Sequence, residues 1–277
     1  MTQTQSTAIQ KPKNNGKQST AIVSPKQERL DRLRDLFEQA KGGLSAVLPK
    51  HLPAEKVIRL TLSAASRTPE LLECTRESIL LASMQAAALG LEPNTPLGLA
   101  YLIPYRTKRR EGNREITEMQ AQFIPGYRGL ITLAIQSGDV KSVQADVVYK
   151  DDFFEYERGL EPKLRHVPAI DGSREDIIAA YSVAVFTNGH KTFEVMFRAD
   201  IEKIRKRSKA GNFGPWVTDY PEMVKKTVIR RHSKGLPLSP ERAAGFARAL
   251  DAQGRAEAGD APDYTDVITV LPEPEAV

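Results

Sequence analysis

Residues 177–197 constrain the fold of this 277-residue chain most strongly, because they predict two strands joined by a tight turn. Residues 177–187 and 192–197 are rich in apolar and β-branched side chains, and Asn188-Gly189 lies between them. An Asn-Gly pair favours the two-residue turn of a β-hairpin, because both positions of that turn need a positive φ. A mainly antiparallel sheet is therefore expected, with further strands over residues 140–149 and 153–157.

The helical spacing of apolar residues predicts helices around this sheet. The first helix begins near Glu28 and ends at Gly42-Gly43. A second begins near Pro53, where proline is tolerated in the first turn, and a third covers residues 75–89. Helices packed on an antiparallel sheet define the α+β class. We predict the remaining helices over residues 127–136, 199–208 and 221–234.

A second hairpin is predicted from residues 99–105 and 116–124, which read as strands around a long polar connection. Four cations occur in or near its tip, so the hairpin is expected to be basic as well as long. The predicted fold is thus α+β, with an antiparallel sheet core, packed helices and a long basic β-hairpin. The four cations are Lys108, Arg109, Arg110 and Arg114.

Composition divides the chain into three segments. Residues 1–27 are polar and rich in Gln, Thr, Lys, Asn and Ser, which predicts a disordered basic tail. Residues 28–240 contain the helix and strand patterns and are expected to form one core. Residues 241–277 contain three Arg against eight Asp+Glu, so we expect a flexible acidic tail there.

Positive charge is concentrated just before that acidic segment. Residues 198–234 contain eleven Lys+Arg and four Asp+Glu, a difference of +7 against +5 for the whole chain. Such an asymmetry favours a polyanionic partner, with nucleic acid ahead of an anionic membrane surface. A solvated, salt-bridged surface remains the alternative interpretation.

Several classes of protein are excluded by what the sequence lacks. Cys74 is the single cysteine, so no intramolecular disulfide can form. The apolar runs are shorter than the roughly 20 residues that a membrane helix needs, and the N-terminus has no apolar signal segment. We expect a cytoplasmic protein without a membrane partner.

The sequence also contains no Walker A loop, no dinucleotide fingerprint and no nucleophile elbow. Its four histidines lack zinc-ligand spacing. One carboxylate cluster could hold Mg²⁺ for nuclease chemistry, although we favour a solvated strand and its turn. The cluster consists of Asp151, Asp152, Glu155 and Glu157.

Residues 209–216 predict a Gly-rich loop between two basic helices, and this loop carries Phe213 and the single tryptophan, Trp216. Basic groups bind phosphates, and aromatic rings stack on bases without regard to sequence. Trp216 either stacks on a base or anchors the loop in the core, and the sequence leaves both readings open.

The helix after this loop carries Lys225, Lys226, Arg230 and Arg231 on two ridges, and we expect few acids to balance them, which disfavours a merely solvated basic helix. These ridges suit a phosphate backbone. Tyr127 and Arg128 lie between two glycines at a predicted strand-to-helix junction. That junction either binds a phosphate at the helix N-terminus or is simply a tight turn.

Taken together, these residues resemble the RecT family of phage and prophage single-strand annealing proteins. The resemblance covers about residues 30–240 and depends on the ordered combination of several motifs; neither tail is matched. The motifs are LGLEPNTPLGLAYLIPY (89–105), FIPGYRGLITLAIQSGDV (123–140), DDFFEYERGLEPKLRHVP (151–168, more loosely) and SKAGNFGPWVTDYPEMVKKTVIRRHSKGLPLS (208–239).

The resemblance implies an annealing fold distantly akin to phage Red-beta and an ATP-independent recombinase without a covalent catalytic site. Such proteins coat single-stranded DNA, pair it with its complement and hold the annealed duplex. They assemble into rings or helical filaments and work with a 5′→3′ exonuclease; the host single-strand binding protein is a further expected partner. No cofactor is implied, and a Mg²⁺ requirement is not readable from the sequence.

The resemblance also implies DNA contacts on the matching residues, with the hairpin tip (Lys108, Arg109 and Arg110) as a weaker expectation. A passive single-stranded DNA-protecting protein and a metal-dependent nuclease remain the alternatives. The expected DNA-binding residues are Tyr127, Arg128, Arg205, Arg207, Lys209, Asn212, Trp216, Lys225, Lys226, Arg230 and Arg231.

Overall fold

The computed structural model describes residues 24–111, 114–208 and 211–267. Four α-helices precede the first strand in this part of the chain: α1 (Pro25–Gln39), α2 (Lys41–Val47), α3 (Ala54–Arg67) and α4 (Arg76–Ala88), with a 3-10 helix (Pro69–Glu73) between the last two. The Gly42-Gly43 pair lies inside α2 rather than ending α1, which stops at Gln39. Helices α3 and α4 lie where the sequence predicts them.

Helix α4 lies at the centre of the larger core. Its side chains are buried on every face, including Leu80 and Met84, neither of which has any exposed surface. A helix that is apolar on all sides is stable only inside the protein. The hydroxyl of Ser78 accepts a hydrogen bond from the backbone N–H of Ala121 at 2.9 Å, which joins this helix to the first sheet.

Strands β1 (Ala100–Glu111) and β2 (Arg114–Pro125) form an antiparallel pair in continuous register, from Ala100 opposite Pro125 to Glu111 opposite Arg114. The predicted hairpin is therefore present, and its strands extend further toward the tip than the sequence indicated. The side chains of residues 109–115 lie outside the described part of the structure, so the basic surface of the tip stays a prediction.

The second sheet has the order β3-β6-β7 and is antiparallel throughout. Its strands are β3 (Val140–Tyr149), β6 (Ile177–Phe186) and β7 (Lys191–Phe197), close to the predicted ranges. The turn between β6 and β7 is longer than the predicted two-residue form, because the N–H of Phe186 pairs with the carbonyl of His190 at 2.8 Å. Gly189 supplies the positive φ (84°) that this longer turn needs.

A small two-stranded sheet pairs β4 (Phe153–Glu157) with β5 (Lys163–Val167). Strand β5 is not predicted from the sequence, because its charged, mixed composition lacks an apolar strand pattern. Opposite charges face each other across this pair, with Glu155 opposite Arg165 and Glu157 opposite Lys163. Cross-strand pairs of this kind support a strand whose own composition is weak.

Helix α5 (Tyr127–Gln136) joins the two sheets, whereas α6 (Arg198–Arg207), α7 (Pro215–Thr218) and α8 (Tyr220–Ser233) follow the second sheet. The N-terminal helices, β1, β2 and α5 share the larger core. A separate core lies between the second sheet and α6–α8. Its buried members include Val147, Met196, Ile201, Trp216 and Val228.

The C-terminal segment differs from the flexible tail that composition predicted. Helix α9 (Pro240–Ala258) packs into the larger core through Phe246 and Ala249. The C-terminal strap (residues 259–267) follows it, and the hydroxyl of Tyr264 donates a hydrogen bond to the carbonyl of Ala121 at 2.6 Å. A few apolar residues spaced along an acidic segment are enough to dock it. Residues 1–23 and 268–277, where tails are also predicted, lie outside the described part.

Within the residues that the structure describes, no helix is both long and apolar enough to cross a membrane.

Candidate nucleic-acid interface

Helix α6 rests on the second sheet through Ile201, which is fully buried, and its basic residues other than Arg205 are exposed. Arg207 is exposed, and its Nε donates to the carbonyl of Lys203 at 3.4 Å. Asn212 is exposed in the loop that follows. Lys209, which the sequence also predicts to contact DNA, lies outside the described residues.

Arg205 holds the loop after α6 in place. Its Nε donates to the carbonyl of Gly211 at 2.8 Å, and its guanidinium lies 5.5 Å from the centre of the Tyr220 ring. Glu202 pairs with the same guanidinium at 3.7 Å. At Gly211 a Cβ would lie 2.2 Å from the carbonyl oxygen of Arg205, so only glycine permits this close approach. Arg205 therefore organises the loop.

The structure places Trp216 in the core. Only 3% of its surface is exposed, and its ring lies 6.0 Å from that of Tyr220. The sequence left open whether Trp216 stacks on a base or anchors the loop. In this conformation it anchors the loop, because the buried indole presents no face to a base. Phe213, at 63% exposure, is the aromatic side chain that the loop presents to solvent.

Lys225, Lys226, Arg230 and Arg231 of α8 are called the cation group here. The expectation that few acids balance them is wrong for three of the four. Lys225 pairs with Glu222 at 3.2 Å, Arg231 pairs with Glu194 at 2.9 Å, and Arg230 contacts Glu257. Glu194 lies on β7 and Glu257 on α9, so the tertiary fold supplies carboxylates that are distant in sequence. Of the three acids, only Glu222, one turn before Lys225, was visible in the local sequence.

Lys226 and Arg230 are the least solvated members of the cation group. They lie one turn apart on the same face of α8, and 15% of the Arg230 side chain is exposed. Burial lowers the pKa of Arg230 to about 10. Burial, followed by the charge of Arg230, also lowers the pKa of Lys226. Desolvation disfavours the charged forms of both side chains, and a bound anion would compensate for this cost.

The N-terminus of α5 meets the cation group through Tyr127. The Tyr127 hydroxyl donates to a carboxylate oxygen of Glu222 at 3.4 Å, and the same carboxylate pairs with Lys225. Arg128 is exposed, and its Nε donates to the Tyr127 hydroxyl at 3.4 Å. The tight junction before α5 depends on Gly126, where a Cβ would lie 2.0 Å from the Gly98 carbonyl oxygen.

The structure thus gathers most of the described DNA-binding candidates into two groups and leaves Lys108 apart from both. Tyr127 and Arg128 join the cation group, and Arg205 organises the exposed loop with Asn212. Lys108 lies exposed on β1, in the part of the fold built around the larger core, whereas α8 packs in the other core. Arg109 and Arg110 have side chains outside the described part.

Asp152, a member of the predicted carboxylate cluster, serves as a buried anchor. It accepts hydrogen bonds from the backbone N–H groups of Tyr149 and Ala169, both at 2.9 Å, and lies 3.0 Å from His166 and 3.2 Å from Arg174. Although burial by itself would raise the pKa of Asp152, these backbone bonds, His166 and Arg174 lower it to about 2. The carboxylate thereby ties the segment after β5 to the end of β3.

The other three acids of this cluster are exposed. Asp151 accepts from the N–H of Ser173 at 2.9 Å, and Glu157 lies 3.8 Å from Lys163, while Glu155 faces Arg165 across the strand pair. Among residues 24–111, 114–208 and 211–267, no group of three or more His, Cys, Asp or Glu could hold a metal ion.

The basic α6–α8 region lies within a stretch of sequence that matches a known family. Residues 55–265 match the RecT family, and the chain belongs to it. It is 44% identical over 203 residues to Protein RecT of Escherichia coli K12, which covers 73% of each chain. It is 28% identical over 156 residues to the uncharacterized protein YqaK of Bacillus subtilis 168, covering 55% of this chain and 49% of that relative. Family membership supports a role in DNA recombination that involves DNA binding and single-strand annealing.

Proposed function

We propose that this protein binds single-stranded DNA and anneals it to a complementary strand without ATP or another nucleotide, and without a covalent catalytic site. The observation that carries the proposal is the RecT family match over residues 55–265, which contains the whole α6–α8 region. The absence of a phosphate-binding loop motif from the sequence agrees with nucleotide independence.

The α6–α8 region suits a strand held by its phosphates. In the cation group, carboxylates neutralise Lys225 and Arg231 at partly exposed positions, where ion pairs are weak and exchange readily with phosphate. Contacts to phosphates leave the base edges free to pair with a second strand. Watson–Crick pairing then supplies both the specificity and the free energy of annealing.

Phe213 is our candidate for base stacking, since it is the exposed aromatic residue in the loop that Arg205 and Trp216 hold. Stacking of this kind tolerates any base because every base has a π face. The stacking role that the sequence left open for Trp216 thus passes, in this proposal, to Phe213 in the loop just before α7.

One subunit neutralises few phosphates and binds weakly at physiological salt, so we propose side-by-side assembly of subunits along the strand as a ring or helical filament. In this proposal a 5′→3′ exonuclease supplies the single strand, and the host single-strand binding protein is exchanged for this one. The annealed duplex is the product that the assembly holds.

The decisive experiment mixes the full chain with a labelled oligonucleotide, adds the complementary oligonucleotide and times duplex formation without nucleotide. We expect faster annealing than in the protein-free control, with the DNA uncut. Slower annealing with bound DNA would identify a passive single-strand protector, and cleavage in Mg²⁺ would favour the nuclease alternative; either result contradicts the proposal.

A further inference from the structure

We propose that Glu257 is an internal competitor for DNA phosphate at Arg230, so that the last turn of α9 weakens strand binding until a phosphate displaces its carboxylate. The inference rests on the proposed function and adds a regulatory contact to the same site. It assigns the C-terminal helix a role in setting DNA affinity, although that helix lies outside the basic segment of the sequence.

Arg230 has the surroundings of a ligand-binding arginine. Its side chain is 15% exposed, and Glu257 is its ion-pair partner in the described part of the chain. Its Nε is buried without a hydrogen-bond partner there. A guanidinium presents donors in a planar fork that suits carboxylate and phosphate oxygens alike. One carboxylate therefore leaves donor capacity at Arg230 that a phosphate could use.

Lys226 adds a second charge that Glu257 does not balance. It precedes Arg230 by one helical turn, on the same face of α8, and the two cations repel each other. Within the described residues no carboxylate lies within ion-pair distance of Lys226. The pair thus carries an excess of partly desolvated positive charge, which favours replacing the singly charged carboxylate by a strand with two adjacent phosphates.

Glu257 is placed so that it can be displaced at low cost. It lies in the last turn of α9, which ends at Ala258, and 45% of its side chain is exposed. The helix itself is anchored elsewhere: Phe246 and Ala249 are buried in the larger core, and the Tyr105 hydroxyl donates to the carbonyl of Gly259. Releasing the Glu257 carboxylate therefore does not require the helix to undock.

The test measures equilibrium binding of a fluorescent single-stranded oligonucleotide to the full chain and to Glu257→Gln at several salt concentrations. We expect the variant to bind about fivefold more tightly at low salt. A change of about fivefold in affinity is at the lower end of the coupling typically found between two sites. The matched control is Asp251→Asn, which removes the same charge from α9 but from a pair with Arg255 at 2.8 Å. The control is expected to bind as the unchanged protein does.

A double-variant cycle with Arg230→Gln separates this contact from a general effect of charge. Glu257→Gln should tighten binding when Arg230 is present and have no effect in the Arg230→Gln background. Equal gains in Glu257→Gln and Asp251→Asn, or equal gains in both backgrounds, would overturn the inference. An unchanged protein that fails to bind any single strand would instead refute the proposed function.

Glu257→Asp covers the case in which Glu257→Gln does not fold. It keeps the charge of α9 but withdraws the carboxylate from Arg230 by one methylene group. A smaller gain in affinity than fivefold is expected, and the absence of any gain in this variant would overturn the inference. Circular dichroism and thermal unfolding establish that each variant is folded.

Discussion

Nδ1 of His232 on α8 lies 3.0 Å from the hydroxyl of Ser182 on β6. Nε2 of the same imidazole lies 2.9 Å from the hydroxyl of Thr192 on β7. His232 therefore joins the helix that carries the cation group to two strands of the second sheet. The geometry of the candidate interface depends on a histidine that does not itself face the surface.

This contact predicts an acid-sensitive fold. Burial lowers the pKa of His232 from 6.5, while the charge of Glu194 opposes that shift. The unfolded chain then binds more protons than the folded one near and below pH 6.5, so the stabilisation is present above that pH and is lost as the pH falls. Denaturant unfolding between pH 7.5 and 5.0 should show decreasing stability.

The variant His232→Gln isolates this effect from the other histidines. It should be less stable at pH 7.5 and lose less further stability on acidification than the unchanged protein. An identical pH dependence in both proteins would show that His232 is not the group responsible.

The segment between α6 and α8 contains two aromatic residues, Phe213 in the loop and Trp216 on α7, for which we predict opposite phenotypes. Trp216→Ala should lower the free energy of unfolding by about 3–5 kcal/mol, because it leaves a cavity in the second core. Phe213→Ala should leave thermal unfolding unchanged and weaken single-strand binding by about 1–3 kcal/mol through lost stacking. Unchanged affinity in folded Phe213→Ala would remove this residue from the interface.

The cation group predicts a change in the salt dependence of binding. Glutamine substitution at any one of its four members should reduce the slope of log affinity against log salt by about 0.7, since one phosphate contact is lost. Arg34→Gln is the control; it removes one positive charge from α1, where Arg34 pairs with Asp31 at 2.9 Å. If all four variants keep the slope of the control, the site assignment fails.

The buried Asp152 predicts a second pH dependence, in a lower range. Its pKa falls from 3.8 to about 2 on folding, so its stabilisation is present above pH 3.8 and is lost as the pH falls toward 2. Asp152→Asn should cost about 2 kcal/mol at pH 7. Thermal and denaturant unfolding measure both effects.

The same variant also tests the nuclease alternative. Annealing by Asp152→Asn should match that of the unchanged protein at a temperature where the variant is folded, because Asp152 anchors the segment after β5. A Mg²⁺-dependent cleavage activity that this substitution abolishes would contradict that structural role.

Most elements were predictable because the signals for them are local. The strand over residues 140–149 and the helix over residues 127–136 occur where their apolar spacing places them. The β6–β7 hairpin follows from two apolar runs and a turn dipeptide, although the turn closes with one more residue than predicted. Strand β5 and helix α9 were missed because pairing and docking, rather than their own composition, stabilise them.

The sequence by itself determined the α+β class, the family and the concentration of positive charge in residues 198–234, since periodicity, motif order and charge are properties of neighbouring residues. The tertiary structure decided which charges are balanced and which aromatic ring is exposed. Glu194 and Glu257 reach the cation group from other elements, and Trp216 turns into the core while Phe213 faces solvent. These outcomes depend on distances between residues that are remote along the chain, which local sequence patterns do not specify.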